Sequence, residues 1–131
     1  MQKIKWLDRQ VGAPGPYLTL CTSEVEYLAV MRRLKVTGHD DWIKTPQADA
    51  TVHFLEKSGN FTVVVCVRVN PYQPAISIAG LLVHESVHIW QNWCEFYGER
   101  KPGDEQEAYF IQSISQTLMT EYARRITDAE D

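Results

Sequence analysis

The chain has 131 residues, enough for one domain with one modest core, and its apolar (44%) and charged (23%) fractions set aside the disordered and fibrous classes. A net charge of −4 and the lack of a dense Lys/Arg run argue against a general nucleic-acid binder. No apolar run approaches a membrane span, and residues 1–10 lack the apolar centre of a signal peptide, so a cytoplasmic protein with no nucleic-acid or membrane partner is expected.

In chain order, residues 1–20 carry Gly12, Pro14, Gly15 and Pro16 and read as an irregular arm, with Trp6, Leu7, Tyr17 and Leu18 to anchor it. Ser23-Glu24-Val25-Glu26 is a capping box that opens a helix. Val25, Leu28, Ala29, Met31 and Leu34 carry it at helical spacing toward a stop at Gly38, and His39, Asp40 and Asp41 follow as a solvated turn. Residues 50–57 and 61–69 read as two strands, the second dense in β-branched residues, joined at Ser58-Gly59-Asn60 as a hairpin. His53 alternates with Val52 and Phe54 and so points to the opposite face from them. Asn70-Pro71-Tyr72-Gln73-Pro74 ends the sheet, and residues 75–97 form a helix stopped by Gly98. A last helix runs from Asp104 to about Ile126 with Phe110, Ile111, Ile114, Leu118 and Tyr122 on its apolar face, and residues 127–131 read as a frayed acidic tail. The expected fold is one α+β domain over residues 1–131. Cys21, Cys66 and Cys94, odd in number and far apart, read as free thiols in a reducing compartment.

His84-Glu85-Ser86-Val87-His88 carries the chemistry. Residues i and i+4 lie one turn apart on one face of a helix, so both imidazoles can reach a single ion, and the spacing suits tetrahedral zinc. Glu85 lies about 100° round from His84, off the ion but placed to touch a water bound to it. At that angular step Ser77, Leu81, His84, Glu85, His88, Gln91, Asn92 and Glu95 share one arc, while apolar residues cover the rest, so a buried helix is expected with its polar arc toward a cavity, an ion or a groove.

Zinc in a catalytic site takes a third protein ligand and keeps one position open. The following helix begins Asp104-Glu105-Gln106-Glu107-Ala108-Tyr109, and here the sequence resembles the gluzincin metallopeptidases. Those proteins pair an HExxH helix with a glutamate from a later helix, often within a Glu-x-x-Ala-Asp type pattern. More narrowly, residues 84–119 look like small single-domain metallopeptidase-like proteins of bacteriophages and prophages. The resemblance implies a minimal zincin-like fold, a single Zn2+ per chain, and Glu105 as third ligand, with Tyr109 where aspartate usually buttresses a ligand histidine. Glu107 is the alternative ligand. Asp104 and Glu107 also make a capping box, and Glu107 shares the meridian of Ile111, Ile114 and Leu118. Glu105 shares a stripe with Tyr109, Gln112 and Gln116, which is read as facing the site. Family members often stabilise the oxyanion with a further histidine or tyrosine, and Tyr72, Tyr97 and His53 are the candidates.

The function expected from motif and resemblance is a zinc-dependent metallopeptidase acting on a peptide or protein substrate, with Glu85 as general base and the substrate path between the edge strand and the central helix. The alternative is a non-catalytic module of the same fold, with a structural metal or a protein-binding groove.

Overall fold

The β-branched run that ends near residue 67 forms the centre of the molecule. A computed structural model describes residues 3–7, 15–100 and 102–130, the last three without their side chains. Six elements follow in order: β1 (Tyr17–Cys21), α1 (Glu24–Arg33), β2 (Ala50–Lys57), β3 (Asn60–Val67), α2 (Ala75–Tyr97) and α3 (Asp104–Glu130). β3 pairs antiparallel with β2 and parallel with β1, so the sheet order is β1-β3-β2. Every residue from Phe61 to Val67 is buried, because helices cover both faces of the sheet. Phe61, Val63, Val65 and Val67 pack in the cluster with α2 and α3, and Val64 and Cys66 pack in the cluster with α1. The result is an α+β protein of three helices and three strands. The three cysteines are free, as expected. Among the described residues no helix is long and apolar enough to cross a membrane.

α2 falls where the sequence placed it, and so does the hairpin, except that β3 runs from Asn60 to Val67 rather than over 61–69: Asn60 joins the ladder, and Val69 is exposed beyond its end. Lys57 pairs with Asn60, which leaves Ser58 and Gly59 as a two-residue turn with φ of 55° and 78°. That is the primed-turn geometry that suits strand twist. Gly98, at φ 70°, closes α2.

Three further boundaries differ from the reading above. Tyr17–Cys21 is a strand rather than part of an irregular arm, with Tyr17 opposite Thr62 and Cys21 opposite Cys66. A parallel pairing between distant segments carries no turn signal in the sequence. The described part of the arm is anchored by the expected residues. Leu7 N–H donates to the Leu18 carbonyl at 2.8 Å, and Trp6 meets Tyr17 edge-on with centroids 5.5 Å apart. Gly12 and Pro14 lie outside the described residues. At the far end, α3 continues through Glu130, so residues 127–130 extend a helix rather than a frayed tail, and Asp131 lies outside the described residues.

The third difference is the end of α1. Its start is as expected: Ser23 Oγ accepts the Glu26 N–H at 3.2 Å. Glu26 reaches back one residue beyond the cap, to the Thr22 N–H at 2.9 Å. The helix then stops at Leu34, not Gly38. Val36 N–H bonds the Met31 carbonyl (2.9 Å) and Lys35 N–H bonds that of Arg32 (3.0 Å), a Schellman closure with Lys35 at φ 58°. Met31 and Val36 bury their side chains in the same cluster, and that contact outweighs the cost of a left-handed lysine.

One buried carboxylate ties the ends of the chain together. Glu121, 5% exposed, accepts from Lys5 Nζ (2.8 Å), Arg124 Nη2 (2.6 Å) and Arg125 Nε (2.9 Å). Arg125 reaches on to Glu26 (2.6 Å) and to the Leu20 carbonyl (3.1 Å), which links α3 to α1 and β1. Burial pushes the Glu121 carboxyl up, but the three cationic donors outweigh it and hold it at about 2.

Two predictions follow from these contacts. Glu121's contribution is complete above its ordinary value of 4.5 and is lost as pH falls from there toward about 2. Glu121→Gln should lower stability at neutral pH by roughly 3 kcal/mol and flatten that acid limb, as read by urea melts across pH. Lys35→Gly relieves the positive φ and should raise stability by about 1 kcal/mol, or roughly 4 °C in Tm; no rise would mean the turn is unstrained.

Candidate metal centre

α2 decides where the motif lies. Its buried residues are Ile78, Leu82, Glu85, Ser86, Ile89, Trp90 and Trp93. On a wheel with His84 at zero they fill an arc from about 100° to about 240°. The helix is therefore buried along one side only, not around most of its circumference. Ile76 is 82% and Val83 39% exposed. His84 and His88, at about 0° and 40°, sit just outside the packed arc and are exposed, while Glu85 is on its edge and 8% exposed.

The two imidazoles converge. Their rings lie edge-on with centroids 4.8 Å apart, and His84 Nε2 and His88 Nε2 are 3.2 Å from one another. Two nitrogens each about 2.05 Å from one tetrahedral ion would lie about 3.3 Å apart, so the pair has the spacing of two zinc ligands. Gln91 orients the second ring: His88 Nδ1 donates to Gln91 Oε1 at 3.1 Å, which puts the lone pair on Nε2, facing His84 Nε2. Asn92 Nδ2 donates to the His88 carbonyl at 2.9 Å. The buttress is thus a residue three positions on in the same helix. Helical i, i+3 spacing in the sequence is the signal for this contact, whereas the family pattern points to Tyr109.

Glu85 follows His84 with its side chain turned into the protein. Burial pushes its carboxyl up, and the two histidines beside it pull part of that shift back. No hydrogen bond to its carboxylate occurs among the described residues. An ionisable group so placed is a ready proton acceptor beside the imidazole pair.

The third ligand is not assembled. Among the described residues no group of three His, Cys, Asp or Glu side chains could hold one ion. Phe110, Ile114, Leu118, Glu121 and Tyr122 mark the packed side of α3. Phe110 sits against Trp90 and Trp93, with centroids 4.9 and 5.4 Å away, on the flank of α2 turned away from the histidines. Glu105, Tyr109, Gln112 and Gln116 fall on the opposite side of α3 and are all exposed, Tyr109 by 64%. Their stripe faces water, not the site. Glu107 does lie on the packed meridian, but it is exposed in the first turn and acts on Cys94. Burial pushes that thiol up, and the Glu99 and Glu107 carboxylates push it further. Cys94 lies about 9 Å further along α2 than His88.

The oxyanion candidates are scattered. His53 is buried on the α1 face of the sheet, its ring 4.7 Å from that of Tyr27 and its Nε2 donating to the Trp42 carbonyl at 3.0 Å. The opposite-face reading holds, and it takes His53 away from the imidazole pair. Burial pushes its pKa down against that hydrogen bond. Tyr72 is 93% exposed in the loop before α2. Tyr97 packs on Trp93 and Phe96 at the far end of α2.

A cleft lies between β2 and the second half of α2, beginning at Asn92, one turn beyond His88. β2 is an outer strand, and Phe54 and Glu56 line the cleft opposite Asn92, Glu95 and Phe96. Compared with family models, curated proteins and solved structures, the chain matches none of them.

His53 should prove structural. His53→Ala should lower stability by about 2–3 kcal/mol, through a lost ring contact and an unpaired carbonyl, and leave metal uptake unchanged. Loss of metal at full stability would return it to the site.

Proposed function

We propose that the chain is a zinc-dependent metallopeptidase of minimal zincin-like type, with His84 and His88 as ligands and Glu85 as general base. The observation that carries this reading is the 3.2 Å approach of the two Nε2 atoms beside a buried Glu85 that accepts no hydrogen bond among the described residues. The donor set suits zinc, and the Gln91 contact leaves His88 in the tautomer a ligand needs. A zinc ion held there would supply Lewis-acid polarisation of a peptide carbonyl and acidify water toward neutral pH. Glu85 takes the proton of the attacking water and returns it to the leaving amine. The outer edge of β2 receives an extended peptide as an added strand, which sets its carbonyls in line along the cleft. Glu105 and Glu107 remain the carboxylates to test for the third position, Glu107 being the one on the packed side of α3.

The second reading is a non-catalytic module that holds a peptide in the same cleft. It is favoured by the two-ligand set among the described residues.

One experiment separates them. Purified protein is assayed for zinc, and zinc-matched wild type and Glu85→Gln are then compared on a broad peptide mixture. The expected result is one zinc per chain, lost in His84→Ala and His88→Ala, with cleavage reduced at least about 10²-fold in Glu85→Gln. Equal cleavage by both proteins would remove Glu85 from the mechanism. Full zinc without cleavage would leave the binding module. Zinc retained by a double histidine variant would refute the ligand assignment.

A further inference from the structure

The cleft that begins one helical turn beyond His88 has its own chemistry. It offers about 310 Å³, at the low end for ligand pockets and ample for one long side chain. Its base is aromatic. Phe61, 3% exposed, lies between Phe54 of β2 and Phe96 of α2, with centroids 6.0 and 5.4 Å away. Its rim carries two exposed carboxylates, Glu56 on the strand and Glu95 on the helix. Among the described residues no lysine or arginine lines it. Aromatic faces under two carboxylates favour a flat cation on a long aliphatic stem, which describes arginine better than lysine.

Position ties the cleft to the motif. His88, Asn92 and Glu95 lie along one stripe of α2, with Asn92 and Glu95 about 6 and 10 Å beyond His88 along the axis. An extended peptide rises about 3.4 Å per residue, so a side chain seated in the cleft belongs to a residue two or three positions from the bond held at the histidines.

We propose that this cleft is an arginine-selective subsite: Phe54, Phe61 and Phe96 take the stem and guanidinium face of an arginine in an extended peptide, and Glu56 and Glu95 take its charge. The proposal rests on the peptide-binding reading of the β2 edge that both functional readings share, and it does not require catalysis. It names the feature of a substrate or ligand that the histidines do not read.

The test uses binding, read on the full chain in a chelator so that cleavage plays no part. End-blocked, fluorescently labelled octapeptides of alanine and threonine carry a single arginine, citrulline or glutamate at the fourth position, and anisotropy reports affinity. The arginine peptide should bind about tenfold more tightly than the citrulline peptide, whose head is nearly isosteric but uncharged, and the glutamate peptide should be weakest. In the double variant Glu56→Gln, Glu95→Gln the arginine peptide should fall to the citrulline level while the citrulline peptide keeps its affinity. Both positions are exposed, so the fold should survive, as circular dichroism would verify. Equal binding of arginine and citrulline peptides, an arginine preference that outlives both carboxylates, or no binding of any peptide would each overturn the proposal. A preference for arginine together with no cleavage by the zinc-loaded protein would uphold the subsite and sink only the peptidase.

Discussion

The constraint on which the site depends is that α2 can bury only one side. Ile78, Leu82, Ile89 and Trp93 must lie against the sheet and α3, and every other residue of the helix takes its position from that choice. His84 and His88 are one angular step outside the packed arc, so they come to the surface at the edge of the sheet. Glu85 is on the last step inside it, so its carboxyl is held largely out of water beside two exposed rings. Rotating α2 enough to bury the histidines would expose the residues opposite them, which include Leu82 and Trp93, at a cost of several kcal/mol. Core packing therefore sets the geometry of the imidazole pair.

The same packing sets what lies on each side of that pair. Trp90, Trp93 and Phe110 join α3 to one flank of α2, and Phe61 and Phe96 join the sheet to the other. The helix that starts with three acidic residues thus docks on the side of α2 away from the motif. The outer strand and its aromatic cleft take the near side. That cleft carries two carboxylates, Glu56 and Glu95, that no zinc pattern points to.

Away from the motif, the layers are held by polar contacts that reach across the chain. Arg125 bridges Glu121 and Glu26 and also satisfies the Leu20 carbonyl at the end of β1. A carboxylate buried as Glu121 is would be costly alone, and three cationic donors make it tolerable. The arrangement locks α1 and α3 to opposite faces of a three-stranded sheet that has little area of its own.

The sequence by itself determined the local features. The hairpin, the extent of α2, the Ser23 cap and the i, i+4 convergence of His84 and His88 all depend on residues within a few positions of one another, where helix period, turn chemistry and capping leave few alternatives. Sequence also placed His53 on the face away from Val52 and Phe54, since strand alternation is a local rule. Only the tertiary structure decided the rest. Tyr17–Cys21 became a strand because a distant parallel partner was available, and α1 ended at Leu34 because Val36 and Met31 found a shared cluster. A helical wheel assigned Glu105 and Tyr109 to one stripe correctly but could not say whether that stripe meets protein or water. That answer depends on which face of α3 docks on α2, and Phe110, Ile114 and Leu118 settle it by burying the opposite side. Period is a property of one segment, whereas orientation is a property of the two surfaces that meet.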